Sequence, residues 1–250
     1  MIFGIARLGD RLGLHFKKNK SLMRVIAIIP AKGSSRRIPE KNFRLFEGGM
    51  SLLEIKVRQC LASNVFDAVY VSSDAEKGCL IAEKFGVNFL HRPTRLCLDE
   101  TPWSEVLTGI LQQLPEDDET LVAWCPPTSP LFSRYDEAVQ KLSDQSEHDS
   151  LMTVTRFQHY FLGPDMLPLN FQFGVWASFS QKLRPLYQMN CALWLASKKS
   201  MLTNRFQTGD NPYFMETSMI EGTDIDTMEE FELAQLLYTA RNSSVAKTGI

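Results

Sequence analysis

The chain has 250 residues, 44% hydrophobic and 22% charged. These are globular proportions, which exclude global disorder, and the length fits one large domain or one domain with an inserted arm. Lysine and arginine total 27 against 29 acidic residues, a net charge of −2, which argues against a nucleic-acid wrapper. No apolar run reaches the ~18 residues that a membrane-spanning helix needs.

Residues 1–23 form a basic extension, with Arg7, Arg11, Lys17, Lys18 and Lys20 against Asp10, ahead of an acidic body. Arg7, Asp10 and Arg11 interrupt the apolar core of any secretory signal. The extension reads as a disordered lead, or as an upstream start ahead of Met23, and is expected to be dispensable. A tail that touches a membrane or another surface is the alternative.

The body begins with Val25–Ile29, a β-branched apolar run bounded by Pro30, which reads as a buried parallel strand. A loop of Gly, Ser, Arg and Pro follows from Ala31 to Asn42. Leu52, Leu53, Ile55, Val57 and Leu61 then give a helix to about Ser63, and Ala68–Val71 a second strand. Leu80, Ile81, Ala82 and Phe85 mark a helix capped by Gly86, before a third strand at Val87–Leu90. Trp103–Leu114 reads as a helix and Thr120–Trp124 as a strand. A helix capped by Ser133 is expected through Leu142, then a strand at Leu151–Thr155. Cys191–Ala196 reads as one more buried strand. The domain spans 24–242, with a last helix from about Met228 to Arg241 and a frayed end over 243–250. This alternation predicts an α/β fold with a mainly parallel sheet flanked by helices, Rossmann-like, with ligands at the carboxyl ends of the strands.

From about 156 to 188 the alternation breaks. Phe157, Tyr160, Phe161, Phe171, Phe173, Trp176 and Phe179 crowd a stretch without periodicity. So many aromatics should not face water. The segment reads as an arm that packs on a second subunit in a homodimer, the alternative being a local lid.

The five cysteines show no metal-binding spacing and, without a signal, read as reduced thiols of a cytoplasmic protein. The histidines form no HExxH pattern, so a zinc hydrolase is disfavoured.

Chemistry concentrates in Ala31-Lys-Gly-Ser-Ser-Arg-Arg-Ile-Pro-Glu-Lys-Asn42. Backbone N–H groups of such a turn can cradle phosphate oxygens, and Lys32, Arg36, Arg37 and Lys41 can neutralise them. It is neither a Walker A loop nor GxGxxG, which argues against P-loop and nicotinamide chemistry. Asp224-Ile225-Asp226 is the second focus. In an extended segment the two carboxylates share a face and suit Mg²⁺. A purely local role is the alternative, because Thr227 and Glu230 make a capping box for the last helix.

Ile29–Asn42 resembles the N-terminal motif of the acylneuraminate cytidylyltransferases, the CMP-sialic acid synthetases and their relatives. Val71-Ser-Ser-Asp74, Pro127-Thr-Ser-Pro-Leu131 and Asp224-Ile-Asp-Thr227 resemble further motifs of that family, in order. With Arg92-Pro93, the likeness spans 24–240. The resemblance implies that the anomeric hydroxyl of a 2-keto-3-deoxy sugar acid attacks the α-phosphorus of CTP and pyrophosphate leaves. It also implies Mg²⁺ or Mn²⁺ on Asp224 and Asp226, with Lys41, Arg36 and Asp224 catalytic. By matching positions, Ala31, Lys32, Gly33, Ser34, Ser35, Arg36 and Lys41 should hold the triphosphate, and Asn42, Ser72 and Arg92 should surround the cytidine. Asn190, Trp194, Gln181 and Lys182 are the expected sugar contacts. His159 matches a histidine near the family's arm, where a structural role fits as well as a catalytic one.

The sugar half departs from the family. Pro126 stands where Gln is usual, Phe132 replaces Arg, Ser180 lies about where an Arg recognises the sugar carboxylate, and Cys191 replaces Gly. Sialic, legionaminic, pseudaminic and octulosonic acids all stay open, the loop ending leaning away from the last. Another sugar nucleotidylyltransferase, a glycosyltransferase with a DxD metal motif, and a non-catalytic nucleotide-binding protein are the competing readings.

Overall fold

The structure is a computed structural model that describes residues 23–248, so all of the 1–23 basic extension but Met23 lies outside the described residues. In chain order the elements begin with β1 (Val25–Pro30), the two-stranded ribbon β2 (Leu45–Glu47) and β3 (Met50–Ser51), and α1 (Leu52–Ala62). They continue with β4 (Ala68–Ser73), α2 (Glu76–Phe85), β5 (Asn88–His91), α3 (Trp103–Leu111), β6 (Leu121–Trp124) and α4 (Tyr135–Asp144). The last are β7 (Ser150–Phe157), β8 (Leu186–Ser197), α5 (Lys198–Asn204), β9 (Pro212–Thr217) and α6 (Met228–Thr248).

The main sheet has seven strands in the order β5-β4-β1-β6-β8-β7-β9. β1 pairs in parallel with β4 on one side and β6 on the other. The chain thus moves outward from β1 through β4 to β5 and then returns across β1 to β6. That reversal makes a crevice at the carboxyl ends of the central strands, where the loop after Pro30 emerges. β8 runs antiparallel to β6 and β7, and β9 lies parallel to β7 at the far edge. The predicted mainly parallel sheet flanked by helices is therefore present, with one reversed strand.

β1 is buried on both faces, which is why its sequence is continuously apolar. Val25, Ala27 and Ile29 join the core beneath α1, while Ile26 and Ile28 pack with α3 residues, Trp124 and Trp194 on the other face. A small third core joins Ile38, Phe46, Leu52 and Ile55 to Ile225, Phe231 and Ala234. This last cluster fastens the first loop to the segment before α6.

Local signals explain several boundaries. Ser51 and Glu54 form a reciprocal capping box at the start of α1. Gly86 closes α2 with φ 66°, the left-handed region that favours glycine. Other boundaries move. α3 stops at Leu111 rather than Leu114, and α4 starts after Arg134 with no side-chain cap, not at Ser133. α6 continues to Thr248, past the Arg241 end read from the sequence.

The ends of the 156–188 segment belong to β7 and β8, which pair through Phe157 and Leu186; between them lie a 3-10 turn at Ser180–Lys182 and an isolated bridge between Leu162 and Pro168. Asn170 braces the segment by donating to the carbonyls of His159 (2.8 Å) and Arg184 (2.9 Å). Its apolar tip is exposed among the described residues: Val175 is 93% and Trp176 80% exposed.

Candidate active site

The loop leaving β1 is built on backbone contacts with the neighbouring strand. The Ala31 N–H donates to the Ser72 carbonyl at 2.9 Å, extending the parallel ladder by one residue. The Gly33 N–H then donates to Asp74 Oδ1 at 2.7 Å. A Cβ on Gly33 would stand 3.0 Å from Ala75 Cβ, so this close approach suits glycine. Asn42 closes the loop: its Nδ2 donates to the Lys32 carbonyl at 3.1 Å, and its own carbonyl accepts from the Leu53 N–H at 3.0 Å. Asn42 Oδ1 is buried and has no partner among the described residues.

The loop lines a cleft of about 440 Å³ together with Asp99 and Asp226. Lys32, Ser34, Ser35, Arg36, Arg37, Lys41 and Asn42 all face it. A smaller hollow of about 280 Å³ shares Lys32, Ser34, Ser35 and Arg36 and is bounded by Cys97 to Glu100.

Two carboxylates balance the cations. Asp99 accepts from Lys32 Nζ at 2.6 Å and pairs with Arg36 Nε. The Lys32 hydrogen bond and charge, followed by Arg36, hold the Asp99 carboxyl below the usual carboxylate range. Asp226 Oδ1 accepts from Arg37 at 2.8 Å and from Lys41 Nζ at 3.2 Å. A polyphosphate entering the cleft would meet cations already aimed at anionic oxygen, and would have to replace Asp99 on Lys32 and Arg36.

The acidic segment is pinned from both sides. The Ile225 side chain is buried in the third core, its N–H donates to the Thr128 carbonyl at 2.9 Å, and its carbonyl accepts from Lys41 Nζ at 2.5 Å. Lys41 is therefore a strut, with its side chain 13% exposed, and not the solvated loop cation that composition suggests. Asp224 Oδ1 is buried with no partner among the described residues. Burial, and then the Asp224 charge and hydrogen bond, push the Cys191 thiol up to about 12.

Thr227 and Glu230 form the expected capping box. The Thr227 N–H donates to Glu230 Oε2 at 2.8 Å, and the Glu230 N–H to Thr227 Oγ1 at 3.3 Å. Thr227→Ala is expected to cost about 1 kcal/mol of stability while leaving ligand affinity unchanged. Thermal melts with a parallel binding titration check this.

The other residues singled out in the sequence lie elsewhere. Ser72 and Arg92 are buried behind the loop, where Arg92 donates to the Ser72 carbonyl at 3.0 Å. Asn190 is interior. Its Oδ1 accepts from Thr153 Oγ1 at 2.6 Å, and its Nδ2 donates to Thr155 and Thr217 hydroxyls, each at 2.9 Å. These bonds fill a register shift between Met152 and Val154, so the amide is turned inward as structure. Trp194 pairs across strands with Trp124 in the core, and its buried Nε1 has no partner among the described residues. Gln181 and Lys182 are exposed on the arm's 3-10 turn and do not line the cleft. Phe132, standing at a departure from the family pattern, is fully buried against Tyr135.

Asp99 is the cleft residue that sequence reasoning did not assign. Asp99 had one available signal, its place in the loop beyond a sheet strand's carboxyl end.

Asp224 and Asp226 suit a hard divalent cation in one respect: one carboxylate oxygen is buried and unpartnered. No group of three or more His, Cys, Asp or Glu is placed to hold a metal ion by itself among the described residues. Two carboxylates alone fit Mg²⁺, which keeps water and phosphate oxygens for its remaining positions.

A cationic strand-to-loop turn at the sheet's switch point thus faces carboxylates across the cleft. The chain belongs to the cytidylyltransferase family, whose model matches residues 26–243. It is 26% identical over 234 residues to the pseudaminic acid cytidylyltransferase of Campylobacter jejuni, covering 89% of this chain and 99% of that one. It is 29% identical over 227 residues to the N-acylneuraminate cytidylyltransferase of Escherichia coli O18:K1:H7, covering 88% of this chain but 53% of that longer protein. Among solved structures, a CMP:2-keto-3-deoxy-manno-octonic acid synthetase complexed with CTP superposes with a TM-score of 0.63 at 14% identity, covering 87% of this chain and 99% of that chain. At that identity the likeness speaks for the fold alone.

Proposed function

We propose that this chain activates a nonulosonic acid with CTP, giving the CMP-linked sugar and pyrophosphate. The observation that carries this reading is the cleft itself, in a chain similar to enzymes named for pseudaminic and N-acylneuraminic acid. Loop cations and an acidic pair meet there across a space of about 440 Å³.

Lys32, Arg36 and the backbone around Gly33 would bind the triphosphate, exchanging Asp99 for phosphate oxygen. Lys41 holds Asp226 beside the phosphates through the Ile225 carbonyl. Asn42 Oδ1, a buried acceptor with no partner among the described residues, suits a donor such as a base amino group. Asp224 and Asp226 would hold Mg²⁺, which when bound supplies charge neutralisation for phosphate oxygens. The chain's own contribution is alignment of the sugar hydroxyl with the α-phosphorus and stabilisation of charge on the departing pyrophosphate. No nucleophilic side chain is needed, because the hydroxyl oxygen forms its bond to phosphorus as the bond to pyrophosphate breaks, its proton passing to solvent. The five cysteines carry no disulfide among the described residues, which supports a reducing compartment such as the cytoplasm.

A panel of four nucleoside triphosphates against several sugar acids, followed by pyrophosphate release, tests the proposal. Turnover with CTP and a nonulosonic acid alone is expected. Preference for another nucleotide, or for an octulosonic acid, contradicts it.

The exposed apolar tip of the 156–188 arm supports a homodimer. Light scattering at micromolar concentration should give twice the chain mass, and Trp176→Glu should shift it toward the monomer. A monomeric wild-type chain removes the dimer from the proposal.

A further inference from the structure

The turn that follows β6 is held by an unusual set of donors. Each carbonyl from Thr128 to Phe132 accepts a hydrogen bond from a distant part of the chain. Thr128 accepts from the Ile225 N–H at 2.9 Å, Ser129 from Lys56 Nζ at 2.8 Å, and Pro130 from Gln59 Nε2 at 2.5 Å. Leu131 accepts from Arg241 at 2.7 Å, and Phe132 from Lys56 Nζ at 3.4 Å.

Lys56 is the anomaly in this set. It lies on the inward face of α1, fully buried, and its third donor goes to the Tyr135 hydroxyl at 2.8 Å. No carboxylate pairs with it among the described residues. A charge taken out of water without a counter-ion is costly, and an apolar side chain of the same length would fill the space without that cost. Burial pushes the ammonium down to about 8. Its three N–H groups match its three acceptors.

The connection to the cleft is short. The residue next to Ser129 is Thr128, whose carbonyl holds the Ile225 N–H, while the Ile225 carbonyl holds Lys41. Lys41 in turn donates to Asp226. We infer that Lys56 is a positioning residue for the acidic pair: by clamping the 128–132 turn, it sets where the Asp224–Asp226 segment stands against Lys41. The inference rests on the proposed cytidylyl transfer for its catalytic consequence, though not for its structural one.

The test uses the full-length wild-type chain and Lys56→Met, which keeps length and helix propensity but removes the donors. Amide exchange in a peptide covering 223–228 is expected to quicken about tenfold, with the β1 peptide unchanged. The Mg²⁺ concentration for half-maximal pyrophosphate release should rise severalfold, more than the KM for the sugar acid. Wild-type exchange at 223–228 overturns the inference, as does a uniform quickening of all peptides, which marks a merely structural lysine. If Lys56→Met does not fold, Gln59→Met is measured in the same way. A smaller change of the same sign supports the clamp, and none overturns it. Absence of CTP turnover in the wild type defeats the functional reading alone, because the exchange experiment still decides the clamp.

Discussion

Arg36→Ala is expected to leave the fold intact and to lower CTP turnover on the order of 10²-fold, the scale for one fixed donor at a developing phosphate charge. The side chain is 82% exposed and pairs with Asp99. An exposed ion pair contributes little to stability, so the melting temperature should stay within a degree or two. Lys41→Ala should lose at least as much activity and also stability, because Lys41 Nζ holds the Ile225 carbonyl as well as Asp226. Loss of a charged hydrogen bond in a partly buried site costs about 1.5–3 kcal/mol. Steady-state kinetics beside thermal melts separate the two residues. Wild-type CTP kinetics in Arg36→Ala would remove that residue from the site.

Asp224→Asn and Asp226→Asn should each raise the Mg²⁺ needed for half activity and lower turnover by a comparable factor. Asn keeps the shape and removes one negative charge, so the pair tests metal binding rather than packing. The two should differ in stability. Asp226 is paired with Arg37 and Lys41, so its neutralisation loosens the strut. Asp224 carries a buried oxygen with no partner among the described residues, so neutralising it should not destabilise the chain. Mg²⁺ titrations of activity, and calorimetry of Mn²⁺ binding with CTP, check both. Unchanged metal dependence in both variants would leave helix capping by Thr227 and Glu230 as the sufficient account of this segment.

The parts of the fold that could be read from sequence are those whose local chemistry admits one environment. β1 is apolar at every position because a central parallel strand is buried on both faces. Gly86 ends α2 because the chain turns left-handed there. The reversal of β8 was not legible, since an apolar run reads the same in either direction and its partners are set by tertiary pairing. β9 begins at Pro212 and alternates at the sheet edge, a pattern too short and half-exposed to separate from loop. α5 has seven residues and no sustained apolar period.

The same logic divides the site. The loop cations were visible because they are contiguous in sequence and follow a buried strand. Asp99 was not, because its partnership with Lys32 crosses 67 residues and exists only once β5 lies beside β4. Asn190 and Trp194 were read as sugar contacts from their place in a motif. The plainer reading, a buried strand at Cys191–Ala196, describes what the structure shows around Trp194, and Asn190 fills the adjacent register shift. A polar residue inside an apolar run can serve a ligand or the strand's own irregularity, and sequence alone does not distinguish them.

The most direct test of the central claim follows phosphorus by NMR while the purified full-length chain is incubated with Mg²⁺, CTP and pseudaminic or N-acetylneuraminic acid. One phosphodiester of a CMP-linked sugar should appear for each pyrophosphate released and each CTP consumed. Loss of CTP as CDP and inorganic phosphate, or no loss with either sugar acid under conditions where the chain is folded, would contradict cytidylyl transfer to a nonulosonic acid.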